Sequence, residues 1–432
     1  MNLGVYTLKT IAYAIVNNPY SLVLIILAVT LYFKNRGVTA MQKAVVGQSL
    51  QSTLELTLSQ LVIGIFGGAL ASVMISYMGI MFNEKSGIEL LFLVSLLLIL
   101  VKPRFVCFSY SGAVIGIISL VSHDVYRIIY GKALISSFNI NIVALMSLVG
   151  ILHIVEGLMV MLDGYRGAIP VFTNNNGRIS GGFAVKRYWP MPIIIMLFMA
   201  AKSSGPSFNI NLPDWWPLIN TGYSAKALAY GTLAMMPMYA IIGYSSVTFT
   251  MSKSRKALSS GLCILSYGIV LTLIAQLAPL GLVFKFIVVI LAPVLHELML
   301  NIQSRIEFRR EPRYVNDDEG IIVLDVVPDS VADKVGIRTG DKLLRINGRE
   351  IINELDIIEG VKETIDTVML TVRKANGDKK DLEYSAFSPQ QRLGVIFVPK
   401  TISQQSKVVG YEENNFKEML DKLKDDKKDD DK

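Results

Sequence analysis

Long apolar runs fill the first three quarters of the chain, and their lengths separate a buried core from a bilayer. Candidate spans lie at 19–33, 59–80, 88–101, 105–122, 140–162, 188–201, 227–249, 257–277 and 281–299. Most approach the roughly 20 residues that an α-helix needs to cross the hydrocarbon layer. The pattern predicts a polytopic α-helical membrane domain of about eight to nine spans over residues 1–310. Runs 88–101 and 188–201 are short, and Pro103, Pro190, Pro192, Pro279 and Pro293 mark ends or kinks. Between runs, Tyr165–Pro190 contains Thr173-Asn174-Asn175-Asn176-Gly177-Arg178 and Gly181-Gly182, and reads as a hairpin turn between two short apolar strands. Pro213-Asp214-Trp215-Trp216-Pro217 reads as an interfacial aromatic anchor.

The period changes at about Glu311. Gly320–Val327 is rich in β-branched residues and stops at Pro328-Asp329, where Asp329 or Ser330 can cap a short helix that Gly336 ends. Thr339-Gly340-Asp341 turns into a strand at Lys342–Ile346, and Asn347-Gly348 is a favoured hairpin turn. Glu354–Glu363 has a helical pattern, Asp366–Arg373 alternates, Asn376-Gly377 turns it into Asp381–Ser385, and Leu393–Val398 is a last strand. A small β-rich domain over 311–400 is expected, followed by a charged flexible tail over 401–432 that ends in alternating Asp and Lys runs.

Composition confirms the class: 52% apolar residues, 18% charged and a mean hydropathy of +0.47 exclude one soluble globule. The net charge of +7 is divided unevenly, with 22 Lys and Arg against 9 Asp and Glu in residues 1–310, and 20 against 26 afterwards. The basic excess therefore belongs to membrane-flanking loops and gives no argument for nucleic acid. Lys34, Arg36, Lys43, Lys102, Arg104, Arg166, Arg178, Lys186, Arg187, Lys253, Arg255 and Lys256 fall in one set of alternate loops, against six basic residues in the other. Basic loops stay inside, which puts the β-rich domain and the carboxyl terminus in the cytoplasm, with Arg305, Arg309, Arg310 and Arg313 in agreement. At the amino terminus, the apolar run Ser21–Phe33 followed by Lys34 and Arg36 reads as an anchoring helix rather than a cleavable signal.

Charges inside a bilayer need a partner or a purpose, and His153, Glu156, Lys285, His296 and Glu297 are the candidates. His153 and Glu156 share a helix face, and His296 and Glu297 sit near the inner end of the last span, so a polar cluster forms if those spans are neighbours. His296-Glu297-Leu298-Met299-Leu300 resembles the His-Glu-x-x-His helix of site-2 proteases, but Leu300 takes the place of the second histidine. With His123 in a polar loop, no metal and no cofactor are expected, and structural hydrogen bonding is the favoured role of the cluster. Cys107 and Cys263 both lie in apolar runs and read as packing residues. Phosphate-loop, nucleophile-elbow and kinase motifs are missing, which favours a non-enzyme.

Ile321 through Ile351, with Ser330-Val331-Ala332, Val335-Gly336-Ile337, Gly340-Asp341 and Ile346-Asn347-Gly348, resembles a PDZ domain. The segment with carboxylate-loop chemistry, Arg392-Leu393-Gly394-Val395-Ile396-Phe397, follows the long hairpin instead of preceding Gly320, as in the permuted PDZ arrangement of bacteria. The resemblance implies a peptide site at Arg392, Leu393, Gly394, Val395 and Ile396, with Ile357 and Val361 lining its pocket, for protein C-termini or internal strands. Many spans before one PDZ domain, together with Gly150-Ile151-Leu152-His153-Ile154-Val155-Glu156-Gly157 and Gly181-Gly182-Phe183 leading into Arg187-Tyr188-Trp189-Pro190-Met191-Pro192, resemble the MinJ family of division-topology proteins. This resemblance implies a non-enzymatic adaptor in the bacterial cell membrane, in contact with membrane lipid, that bridges a DivIVA-like polar scaffold to a MinD-like ATPase. A site-2-protease-like intramembrane protease or its inactive relative is the alternative, and a transporter or membrane sensor the third reading. A PDZ fold that packs on its own membrane domain and binds no free peptide also stays open.

Overall fold

The computed structural model describes residues 2–46, 50–98, 107–135, 138–175, 178–199, 212–222, 232–363, 367–385 and 393–400. Among the described residues, six helices are long and apolar enough to cross a membrane: Tyr20–Lys43, Thr53–Met78, Phe108–Tyr130, Ile142–Asp163, Lys253–Leu280 and Leu282–Arg309. In element order, α1 is Leu3–Val16, α2 Tyr20–Val46, α3 Thr53–Met78, β1 Met81–Asn83, α4 Leu90–Leu98 and α5 Phe108–Ser119. A π turn at Leu120–Val125 joins α5 to α6, Tyr126–Tyr130. Then come α7 (Ile142–Asp163), β2 (Ile169–Asn175), β3 (Arg178–Met199), β4 (Thr232–Thr248), α8 (Lys253–Ala275) and α9 (Leu282–Arg309).

Two expected spans are strands instead. Runs 188–201 and 227–249 fall on β3 and β4, which pair antiparallel from Phe183↔Thr248 to Met199↔Thr232. Of the run 88–101, Leu90–Leu98 forms α4 and 99–101 lie outside the described residues. The physical reason lies in Pro190, Pro192 and Ile193-Ile194-Ile195, since prolines break a helix interior and β-branched residues suit a strand. The hairpin read at Tyr165–Pro190 is present, with β2 against the start of β3 from Ile169↔Ala184 to Asn175↔Arg178.

Prolines inside a long strand cost ladder hydrogen bonds unless their N atoms face an unpaired edge. On the edge of β3 opposite β4, β2 reaches only Ala184, and β1 pairs in parallel only with Met196–Phe198. Helix α3 covers the gap. Ser72 Oγ accepts from the Ile194 amide at 2.9 Å, so Pro190 and Pro192, four and two residues earlier, direct their N atoms to the same edge. Gly64 and Gly68 let α3 approach: a Cβ would stand 2.2 Å from the Pro190 carbonyl oxygen at one and 2.2 Å from that of Pro192 at the other. Here a helix masks the edge that strand pairing leaves open. Gly68→Val is expected to destabilise the full chain by about 1–3 kcal/mol through overpacking against backbone. Thermal unfolding in detergent checks this, and an unchanged midpoint would contradict the packing.

α7 is the central helix, buried along most of its length. It crosses α8 through a seam of glycines in antiparallel order. A Cβ at Gly150 would lie 2.8 Å from the Gly268 carbonyl oxygen, and one at Gly157 2.5 Å from that of Gly261. Small residues seven apart on both helices thus bring the backbones together, as is common between membrane helices.

After α9 come β5 (Tyr314–Val315), β6 (Ile321–Val326), α10 (Val331–Lys334), β7 (Lys342–Ile346), β8 (Arg349–Glu350), α11 (Glu354–Lys362), β9 (Thr367–Arg373), β10 (Lys379–Ser385) and β11 (Val395–Phe397). The sheet order is β10-β9-β7-β6-β11, with β8 beside β7. Turns fall where the sequence places them: Gly336 (φ +86°), Gly340 (+91°), Asn347 (+50°) and Gly348 (+78°) take the left-handed region. Asn353 caps α11, with its side chain accepting from Leu355 and Asp356 amides while Asp356 accepts from the Asn353 amide at 2.8 Å.

This domain is joined to the membrane domain. β5 pairs with β3 at Ser180↔Val315 and Gly181↔Tyr314. A Cβ on Gly181 would meet Val398 at 2.7 Å and Leu324 at 3.0 Å, so the glycine opens the contact face. Tyr314, Ile322, Leu324, Ile396 and Val398 belong to the same apolar cluster as the membrane core. Lys253 donates to Asp325 at 2.5 Å. Glu307, near the end of α9, accepts from the amides of Phe249 and Thr250 and from Lys256, which fixes that end beside the β4–α8 turn. The tail expected at 401–432 lies outside the described residues.

Candidate functional site

Peptide recognition by this fold rests on an exposed strand edge, and β11 ends the sheet. It pairs with β6 through Val395↔Val326, Ile396↔Asp325 and Phe397↔Val323. The Gly394 carbonyl accepts from the Val327 amide at 2.9 Å, and the Val398 amide donates to Ile322 at 3.1 Å. By two-residue alternation the backbone groups of Val395 and Phe397 face the other way. Among the described residues no strand pairs with that side.

The expected site residues divide by environment. Arg392 lies outside the described residues. Leu393 is buried in the domain core, and its carbonyl accepts from the Ala332 amide at 3.0 Å. Gly394 has φ +78°, and a Cβ there would stand 2.3 Å from Ser330 Cβ, so the loop closes tightly on α10. Val395 and Phe397 are half-buried against the domain core, whereas Ile396 turns towards the membrane-domain cluster. Ile357 is buried in the core, and Val361 is half-buried beside it. Lys400 donates its amide to Glu354 at 2.7 Å, which ties the chain after β11 to the start of α11. What this side of the domain offers a partner is chiefly backbone, between β11 and α11.

The intramembrane residues separate into three groups. His153 on α7 and His296 on α9 are neighbours, with ring centroids 5.6 Å apart. Glu156 Oε2 stands 3.8 Å from His153 Nε2. Glu297 points elsewhere and accepts a hydrogen bond from the Tyr110 hydroxyl. Lys285 donates to Asp124 at 2.6 Å, and His123 Nδ1 bonds the other oxygen of that carboxylate at 2.8 Å, away from the cluster.

Cys107, a packing residue by sequence, completes the cluster. Its Sγ lies 3.0 Å from His153 Nε2 and 3.6 Å from His296 Nε2. It is also the N-cap of α5, where Sγ accepts from the Ser109 amide at 3.4 Å. His153 Nδ1 donates to the Val149 carbonyl at 2.7 Å, which leaves the Nε2 lone pair towards the sulfur. Tyr267 of α8 stacks edge-on against both imidazoles and donates to the Ala292 carbonyl at 2.9 Å. Nothing in the sequence singled out Cys107, because it lies inside the apolar run 105–122 and its capping position is set by the fold.

A second buried polar group holds the end of the membrane domain nearest the PDZ fold. Asp163, at the end of α7, accepts from Arg187 Nε at 3.1 Å and from Trp189 Nε1 at 2.8 Å. Arg187 also donates to Ser59 Oγ at 2.6 Å. The sequence motif running from Arg187 to Pro192 is thus a structural knot between β3, α3 and α7.

Comparison with known proteins agrees with this architecture. The family model for the PDZ domain matches residues 322–374. Over 252 residues, 58% of this chain, the sequence is 22% identical to the cell division topological determinant MinJ of Bacillus subtilis. A probable cell division topological determinant MinJ of Lacticaseibacillus paracasei is 26% identical over 84 residues, 19% of this chain and 23% of that protein. Serine protease HTRA1 of Xenopus tropicalis is 26% identical over 65 residues, 15% of this chain and 14% of the protease, a likeness of PDZ domains alone. The chain spans 60% of the length of the Bacillus relative it matches. The chain is similar to MinJ proteins, has helices apolar and long enough to cross a membrane, and carries a PDZ domain.

Proposed function

We propose that this protein is a non-enzymatic membrane adaptor that recruits cytoplasmic partners through its PDZ domain in spatial control of cell division. The observation that carries the reading is the edge strand β11, whose Val395 and Phe397 backbone groups have no strand partner among the described residues. An added strand would pair there, and the left-handed Gly394 loop beside it has the backbone geometry that accepts a carboxylate. The division role rests on the similarity to MinJ proteins. A DivIVA-like scaffold and a MinD-like ATPase are the partners we infer from it.

Charge supports a cytoplasmic PDZ domain. Lys34 lies 3.3 Å over the Tyr188 ring, Lys253 meets Asp325, and Gln42 donates to the Ala168 carbonyl at 3.0 Å, so the basic ends of α2, β3 and α8 gather at the PDZ end of the bundle. In the membrane-domain contact the Leu324 and Val398 side chains meet Gly181.

Fluorescence microscopy of the tagged full chain in dividing cells tests the division role. Concentration at division sites or poles is expected. A uniform membrane signal through the cell cycle, from a chain that complements its deletion, would refute it.

A further inference from the structure

We propose that Cys107, His153 and His296 bind a zinc-class divalent metal ion inside the membrane domain, with Glu156 beside the fourth corner. The three ligand atoms come from three helices and lie within 4.8 Å of one another. A tetrahedral zinc site, with bonds of about 2.3 Å to sulfur and 2.0–2.1 Å to nitrogen, separates sulfur from nitrogen by about 3.5 Å. The observed separations are 3.0 and 3.6 Å.

The surroundings favour a cation over a bare hydrogen-bonded thiol. One thiol proton can serve one of the two imidazole nitrogens that face it. His153 Nε2 carries a lone pair, because Nδ1 is committed to the Val149 carbonyl. A carbonyl behind a ligating histidine is the usual outer support of a metal site, since it fixes both ring orientation and tautomer. The Ser109 amide donates to Cys107 Sγ at 3.4 Å, which orients the sulfur at the start of α5. Binding would release the thiol proton to solvent and leave the thiolate, two neutral imidazoles and a nearby carboxylate around the ion. One thiolate with two imidazoles suits zinc, whereas purely oxygen-loving ions are disfavoured.

The consequence is structural. His153 is buried at the centre of α7, and His296 is almost buried on α9, which leads directly into the PDZ domain. A metal here would tie α5, α7 and α9 together at one point and hold the helix that carries the soluble domain.

The test uses the purified full chain in detergent. Metal analysis of the isolated protein is expected to give about one zinc per chain. Cobalt(II) added to metal-stripped protein should produce thiolate-to-cobalt charge-transfer absorption in the near ultraviolet. Cys107→Ser should abolish that band, Cys263→Ser should retain it, and His153→Gln or His296→Gln should weaken cobalt binding at least about tenfold. Absence of the band from the unsubstituted protein overturns the proposal, and this arm needs no variant to fold. A band that survives in a folded Cys107→Ser chain, or copper in place of zinc in the isolated protein, overturns it as well.

Discussion

Replacing Arg187 with methionine is expected to destabilise the membrane domain by about 3–5 kcal/mol, the usual cost of breaking a buried ion pair on one side. Arg187 and Asp163 side chains are each 1% exposed. The guanidinium bonds Asp163, Ser59 and the Leu56 carbonyl, and so joins β3 to α7 and to the first turns of α3. Methionine fills similar volume but leaves the Asp163 carboxylate with only the Trp189 indole at 2.8 Å and the Arg166 guanidinium at 3.5 Å. Thermal unfolding of the purified full chain measures the loss. Adding Asp163→Asn to Arg187→Met should recover part of it, because the stranded charge is then gone. A single variant within about 1 kcal/mol of the parent would show that the pair is not holding these elements.

Gly157→Leu is expected to have the other large effect. A Cβ at this position would lie 2.5 Å from the Gly261 carbonyl and 2.6 Å from the Leu265 amide nitrogen, both backbone atoms of α8 that cannot swing aside. The helices must separate, and the contact between Gly150 and Gly268 one heptad away is lost with them. Because His153 lies between the two glycine contacts, this separation also moves it from Cys107. The expected result is at least about 3 kcal/mol of destabilisation, or failure to accumulate in the membrane. Leu273→Ile, on an exposed face of the same helix α8, should stay within about 0.5 kcal/mol. Normal stability of Gly157→Leu would contradict the glycine seam.

The parts of the molecule that the sequence made legible are those built from local signals. The PDZ turns at Gly336, Gly340 and Asn347-Gly348 needed only left-handed backbone positions, and the helix at Glu354 needed only its cap. The hairpin at Asn175 and Arg178 was legible for the same reason. The β3–β4 ribbon was not, because apolar length alone cannot separate a membrane helix from a strand buried on both faces. Pro190 and Pro192 read as helix ends, and their actual role depends on α3 lying across the strand edge, a tertiary fact. His153 and His296 were legible as a cluster only on the condition that their spans are neighbours, which the fold decides. Cys107 was not, since 46 residues separate it from His153 and 189 from His296. Chemistry and order suggested a peptide segment, but they could not show that Ile357 and Leu393 turn into the domain core, which only packing decides.

The β11 edge is the part of this structure on which the adaptor role depends, and co-purification from cross-linked membranes tests it directly. The full chain is compared with Val395→Pro, which removes the outward amide an added strand would use and leaves the groups that pair with β6. The expected result is recovery of division or pole-organising proteins with the full chain, and a several-fold loss with Val395→Pro at equal membrane abundance. Equal recovery by both chains, or recovery of cleaved membrane substrates in place of division proteins, would contradict it.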